Sequence, residues 1–133
     1  MNNLSNAKAP IKATCHCGAI TVTAPGHPKE PINECQCTIC RRYSAAWAYY
    51  NTKDVTVEIA DGASMSKYSW GHNTASFDWC KGCGCVMFWW PLKVPEEGAQ
   101  MGLNSRMMEP AAIRGVTRIM DYEMLFDPLP QGK

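Results

Sequence analysis

Net charge of either sign is missing from this sequence. Its 133 residues hold 13 Lys and Arg against 12 Asp and Glu, a formal charge of +1 at pH 7. No basic stripe is available to neutralise phosphates, so nucleic-acid binding is not expected. Long apolar runs are missing too. The run Val86 to Trp90 stops at Pro91 and Lys93, well short of the roughly 18 consecutive apolar residues that a membrane span requires. No membrane partner is expected. The opening MNNLSNAKAPIKA has neither a basic start with an apolar stretch behind it nor the composition of a transit peptide, and the expected address is the cytoplasm. Internal repeats, low-complexity tracts and linkers long enough to separate domains are likewise absent.

Isolated cysteines are also missing, and this absence is the most informative. The 8 cysteines fall as Cys15-His16-Cys17, Cys35-Gln36-Cys37-Thr38-Ile39-Cys40 and Cys80-Lys81-Gly82-Cys83-Gly84-Cys85. A disulfide joins two sulfurs, and a disulfide framework spreads its cysteines to staple distant loops. One metal ion must instead gather three or four thiolates. Clustering therefore points to metal, as does a reducing cytosol.

Between the clusters the pattern is that of short strands. Ala19–Ala24 alternates apolar and hydroxyl side chains and stops at Pro25-Gly26, and Val55–Ile59 alternates cleanly into the turn signal Asp61-Gly62. Ala45–Tyr50, Met65–Trp70, Thr74–Trp79 and Val86–Trp90 are further candidates, rich in aromatics. Thr38–Tyr43 is expected to form a helical turn, Met101–Met108 a strand, and Glu109–Ile113 a short helix with Pro110 at its first position. The expectation is a mainly β protein: a loosely packed lead-in over 1–10, then over 11–130 one zinc-stapled domain of short antiparallel strands with few short helices.

Cysteines two apart in a strand face the same side, so Cys15 and Cys17 can direct both thiols at one ion with His16 pointing away. Sulfurs about 2.3 Å from a tetrahedral zinc lie about 3.8 Å from one another, a separation that this pair and the tight turn Cys80-Lys81-Gly82-Cys83 can both reach. Gly82 and Gly84 are expected to close that turn at positive φ. Cys15, Cys17, Cys80 and Cys83 are thus the expected ligands of a structural zinc.

Cys35, Cys37 and Cys40 offer three thiolates and no fourth within their segment. Three protein ligands suit a catalytic zinc with a position open to water or substrate. Cys85 is the alternative fourth ligand, which would turn the second site into a closed, structural one. Trp47, Tyr49, Tyr50, Phe88, Trp89 and Trp90 are expected to pack core and sheet rather than form a substrate platform, and His72 is given no role.

With these residues in view, the sequence resembles the family of glutathione-dependent formaldehyde-activating enzymes, which includes centromere protein V. The resemblance rests on Cys15-His16-Cys17-Gly18, on Cys35 to Arg41, on Trp79 to Gly84 and, more weakly, on Asn104-Ser105-Arg106, in that order and at fitting separations. It implies a mainly β fold with two zinc ions, one structural on Cys15, Cys17, Cys80 and Cys83, and one catalytic on Cys35, Cys37 and Cys40. It further implies a carbon-sulfur lyase that forms and cleaves S-(hydroxymethyl)glutathione, with glutathione or another small thiol as partner. Arg41, Arg42 and Arg106 could pair with the glutathione carboxylates. The alternative function is a non-catalytic, zinc-stabilised binding or scaffold module.

Overall fold

A computed structural model describes residues 6–71, 74–123 and 129. Ten short strands lie along the described chain: β1 (Ile11–Thr14), β2 (Ile20–Ala24), β3 (Ile32–Cys35), β4 (Trp47–Asn51), β5 (Thr56–Ile59), β6 (Met65–Tyr68), β7 (Ala75–Cys80), β8 (Val86–Pro91), β9 (Gln100–Asn104) and β10 (Arg118–Asp121). Helical structure is confined to 3-10 turns at Thr52–Asp54, Ser105–Met107 and Pro110–Ile113 among the described residues. The protein is mainly β, as its short alternating segments predict. None of its described helices is long and apolar enough to cross a membrane.

The strands form two sheets. The smaller has the order β1-β2-β5, and the larger has the order β10-β3-β4-β9-β8-β7-β6. All neighbours are antiparallel except β10, which runs parallel to β3. Period-2 alternation sets which face each strand buries. Ile11 and Ala13 of β1, with Ile20, Val22 and Ala24 of β2, turn inward and share one core with Ala48, Met101, Leu103 and Met87 of the larger sheet. Each fully buried Ile or Leu here is worth about 1.5–3 kcal/mol.

The larger sheet carries a second cluster on its other face, where Trp47, Val86, Cys37, Cys40 and Ala45 are buried with Phe77, Trp79, Tyr49 and Trp89 against them. A bulge makes both clusters possible. Asp78 pairs with Phe88 but Trp79 pairs with Val86, so Met87 is the extra residue. The shift sends Met87 and Phe88 together into the first core and leaves Val86 beside Trp79 on the other face.

Four strands depart from the sequence expectation, one of them β3, a segment with no strand pattern of its own. β1 lies just past the lead-in, and Cys15–Gly18 is a turn between β1 and β2 rather than a strand, closed by Gly18 N–H to the Cys15 carbonyl at 3.1 Å. β10 presents mostly exposed residues and exists through its pairing with β3. The expected strand Met101–Met108 ends at Asn104, whose side chain caps the following 3-10 turn by accepting the Arg106 N–H.

β7 also buries an acid. Ser76, Asp78 and Cys80 face inward, and Ser76 Oγ donates to Asp78 Oδ1 at 2.6 Å. Burial raises the Asp78 carboxyl pKa above the usual range, against opposing contributions from Ser76 and Lys67. A raised folded-state pKa means that the folded protein holds the proton longer than the unfolded chain. The resulting penalty is full above the folded pKa and vanishes below the unfolded value of about 3.9. Asp78→Asn, which keeps an oxygen for Ser76, is therefore expected to raise Tm near pH 7. The gain should shrink as pH falls to about 3, and thermal melts across that range check it.

Candidate metal centre

The cysteines gather at two places. Cys15, Cys17, Cys80 and Cys83 bring their sulfurs within 4.8 Å of one another, and so do Cys35, Cys37 and Cys40. Both groups could hold a metal ion.

The first centre joins the two sheets. Cys15 and Cys17 lie at the β1–β2 turn of the smaller sheet, while Cys80 and Cys83 lie at the β7–β8 turn of the larger. Cys17 Sγ is 3.6 Å from both Cys15 Sγ and Cys80 Sγ, close to the roughly 3.8 Å edge of a tetrahedral zinc thiolate site. Backbone amides already face these sulfurs, as Ile20 N–H donates to Cys15 Sγ at 3.3 Å. Backbone donors on the Cys17 and Cys85 sides pull the Cys83 thiol down to about 5. The second turn closes through Gly84 N–H to the Cys80 carbonyl at 2.8 Å, with Gly84 at φ +82°. Gly82, expected to share that conformation, does not have positive φ. It instead lies 3.6 Å, measured from the Cβ it lacks, from the sulfurs of Cys17 and Cys80. An all-thiol donor set of this size and spacing fits zinc.

The second centre is built on one loop. Cys35 ends β3, and the chain then turns through residues 36–46 before entering β4. Helical hydrogen bonds shape this loop, from Arg41 N–H to the Cys37 carbonyl and from Tyr43 N–H to that of Ile39, which accounts for the predicted helical turn. Cys37 and Cys40 are each only 6% exposed. Cys37 Sγ accepts the Cys40 N–H at 3.4 Å, and Cys40 Sγ accepts Trp47 Nε1–H at 3.3 Å. The Cys35 and Cys40 thiols together with the backbone hold Cys37 far below the ordinary thiol range, the condition of a ready metal ligand.

Cys85 does not complete this centre. Its sulfur interacts with Cys83 and with the His16 backbone, and its carbonyl accepts the Cys80 N–H at 3.0 Å. It therefore stands beside the first centre, because the tight β7–β8 turn keeps it next to its own knuckle. The expectation of a fourth ligand for the second metal from Cys85 is corrected accordingly. Among the described residues no other His, Cys, Asp or Glu joins Cys35, Cys37 and Cys40.

A cleft of about 280 Å³ opens onto Cys35 and Cys40, walled by Trp47, Tyr49, Phe77 and Trp89. The aromatics expected to be packing thus divide. Phe88 and Trp90 belong to the first core, and Tyr50 Oη donates to the Gly26 carbonyl at 2.6 Å. Trp47, Tyr49 and Trp89 instead surround the cysteines, joined by Phe77, which the sequence did not single out. The signal was available in strand alternation, since Trp47 and Tyr49 share a face of β4. Tyr49 Oη accepts Asn33 Nδ2–H at 2.6 Å, and that amide also donates to Asp121 Oδ2 at 3.0 Å. Burial above all pushes the Tyr49 hydroxyl up to about 12, so it keeps its proton at neutral pH.

The three arginines brace the loop. Arg41 Nη1 donates to the Gln36 carbonyl at 2.9 Å, Arg42 Nη1 to that of Thr38 at 2.8 Å, and Arg106 Nε to that of Ser44 at 2.5 Å. Arg106 and Arg118 also approach Glu34, both at 3.8 Å. Ser44 adopts φ +54°, rare for a side-chain-bearing residue, and Arg106 holds it there. None of the three arginines lines the 280 Å³ cleft, whereas Arg42 borders a separate one of about 360 Å³ with Tyr43, Tyr68, Trp70 and Trp79. His16 is exposed, and His72 lies outside the described residues.

Two sheets that meet at a four-thiol cluster, with a three-thiol cluster beside an aromatic cleft, define a mainly β protein with two cysteine groups that could each hold a metal ion. The family model described as glutathione-dependent formaldehyde-activating enzyme matches residues 10–113, and the chain belongs to that family. A crystal structure of a Rhodobacter sphaeroides protein, a structural-genomics target, is similar in fold with a TM-score of 0.62. It shares 25% sequence identity, over 81% of this chain and 99% of that one. No curated protein matches the chain.

Proposed function

We propose that this protein is a zinc-dependent carbon-sulfur lyase that forms and cleaves S-(hydroxymethyl)glutathione or a related thiol adduct of an aldehyde. One observation carries the reading: Cys35, Cys37 and Cys40 converge without a fourth protein ligand among the described residues, and two of them, Cys35 and Cys40, line a cleft. Family membership supports it. The reading places residues 11–130 in one cytoplasmic domain with two zinc ions, one structural and one catalytic.

In the synthetic direction the glutathione sulfur bonds to the carbonyl carbon, the C=O π pair moves onto oxygen, and the thiol proton ends on that oxygen. Cleavage reverses each movement. A zinc ion held by Cys35, Cys37 and Cys40 would supply Lewis acidity that stabilises the sulfur as thiolate. The protein's own contribution starts with Tyr49, whose Oη receives the Asn33 amide and so keeps its own O–H free to donate to the carbonyl oxygen. Trp47, Tyr49, Phe77 and Trp89 give the cleft apolar walls beside Cys35 and Cys40. Arg41, Arg42 and Arg106 lie outside the cleft, where the glutathione carboxylates can meet them while its sulfur reaches in.

The scaffold alternative is motivated by Cys85 as a fourth ligand of the second site, and Cys85 stands beside the first centre instead. Exchange NMR on the zinc-loaded protein with formaldehyde and glutathione tests the lyase reading. The expected result is interconversion of adduct and free thiol faster than without protein. Equal rates with both sites filled would overturn it.

A further inference from the structure

The cleft at the three-thiol centre has walls that formaldehyde would leave unused. Four strands contribute to one transverse row on the sheet: Tyr49 of β4 pairs with Gly102 of β9, Gly102 with Trp89 of β8, and Trp89 with Phe77 of β7. Gly102 makes the row possible. A Cβ there would overlap Trp89 Nε1, so the indole lies directly over the β9 backbone. Trp47 and Phe77 are 6.1 Å apart between ring centroids, and Tyr49 and Trp89 meet edge to face at 6.3 Å. Thr74 and Ala75 complete the rim. Apart from the two metal-ligand cysteines, no described side chain lining the cleft carries charge.

We propose that the aldehyde handled at this site carries a planar, uncharged substituent, so that the substrate class is the thiol adduct of an aryl aldehyde; the inference rests on the lyase reading and narrows it. Aromatic walls favour a ring in offset or edge contact, each such pair being worth more than its area alone. A charged substituent would lose its hydration against these walls with no cation to replace it. The volume of about 280 Å³ falls just below the usual range for drug-sized ligands. It suits a ring and its carbonyl rather than a whole tripeptide, whose charged ends stay outside near Arg41 and Arg42. Formaldehyde places only hydrogens on the reacting carbon and gains nothing from Trp89 or Phe77.

The chemistry is unchanged by the substituent. In the adduct Ar–CH(OH)–S–R the C–S bond breaks, sulfur keeps the electron pair and takes the hydroxyl proton, and the C=O bond of the aryl aldehyde forms. No oxidant or reductant is needed. Tyr49 Oη is placed to hold the oxygen through both directions, with Asn33 and Asp121 fixing the phenol.

The test compares benzaldehyde with formaldehyde, both with glutathione, on the zinc-loaded full chain by exchange NMR, each rate taken relative to its own uncatalysed reaction. A second readout needs no turnover: saturation-transfer NMR with benzyl alcohol, an unreactive aryl probe. The expected result is acceleration of benzaldehyde exchange at least about tenfold above that of formaldehyde, the scale set by an apolar pocket contact. Benzyl alcohol should bind, and Phe77→Ala should lower both the rate ratio and the probe signal. Phe77→Leu, which keeps most of the volume and removes the plane, covers the case in which the alanine variant does not fold. Acceleration of formaldehyde alone, with no benzyl alcohol signal, would overturn the proposal and leave the lyase reading intact. Failure of both aldehydes with benzyl alcohol still bound would overturn the lyase reading and retain the aryl ligand class. Failure of all three would overturn both.

Discussion

Cys80→Ser is expected to release the first metal and abolish the cooperative fold. The physical reason is connectivity. Cys80 ends β7 in the larger sheet, and its sulfur stands 3.6 Å from that of Cys17, 63 residues earlier in the chain and on the smaller sheet. Apparent binding energies for structural zinc run at about 10–16 kcal/mol, whereas domains of this size are stable by only about 5–15 kcal/mol in total. Cys80 is fully buried, so a serine hydroxyl there would also lose hydration without a partner, at a cost of about 1–3 kcal/mol. The checks are metal content, which should fall by at least one ion per chain, and near-UV circular dichroism with thermal melting, which should lose its transition. A cooperative melt within about 1 kcal/mol of the parent would show that the hydrophobic core alone holds the sheets together. Cys85→Ser is the informative control: its sulfur lies beside the same turn but outside the four-thiol group, and both metals should remain.

The two cysteine groups were the most legible feature of this protein because their signal is chemical and local. Cysteine types and spacings name the two groups without any knowledge of strand pairing, and the structure gathers the same residues. Strands with clean alternation, such as β2 and β5, were equally open to reading. What the sequence concealed was everything set by tertiary pairing. β10, Arg118-Ile119-Met120-Asp121, has no inward face and becomes a strand because β3 offers it a parallel edge. Buried Asn33 in β3 would weaken a strand assignment, yet its Nδ2 finds acceptors in Tyr49 and Asp121 from distant segments. The cleft was hidden for the same reason. Trp47, Tyr49, Phe77 and Trp89 come from three strands, and only the register through Gly102 puts Tyr49, Trp89 and Phe77 in one row, with Trp47 two residues along β4 from Tyr49, around Cys35 and Cys40. Spacing could not place Cys85 either, since a cysteine just past the Cys80–Cys83 pair can serve either group until the β7–β8 turn fixes it.

Cys37→Ser is expected to remove the second metal and the exchange activity while preserving the fold, the converse of the Cys80 result. Cys37 is the central sulfur of its group: it accepts the Cys40 N–H and is the thiol most strongly favoured as thiolate by its neighbours. Serine is a far poorer ligand for zinc, and two remaining thiolates do not make a stable site. The loop itself has other supports. Arg41, Arg42 and Arg106 each hold one of its carbonyls, and Trp47 Nε1 holds Cys40. Stability should therefore fall by about 1–2 kcal/mol, the ordinary scale for a buried substitution, and the first metal should stay. Elemental analysis is expected to drop from two ions to one, and catalysed exchange between thiol and adduct should fall to the rate seen without protein. Loss of the metal with exchange unchanged would move the chemistry away from Cys35, Cys37 and Cys40. Loss of the fold as well would make the second ion as structural as the first, and the open position at the foot of the aromatic cleft would then be a consequence of packing rather than a reacting site.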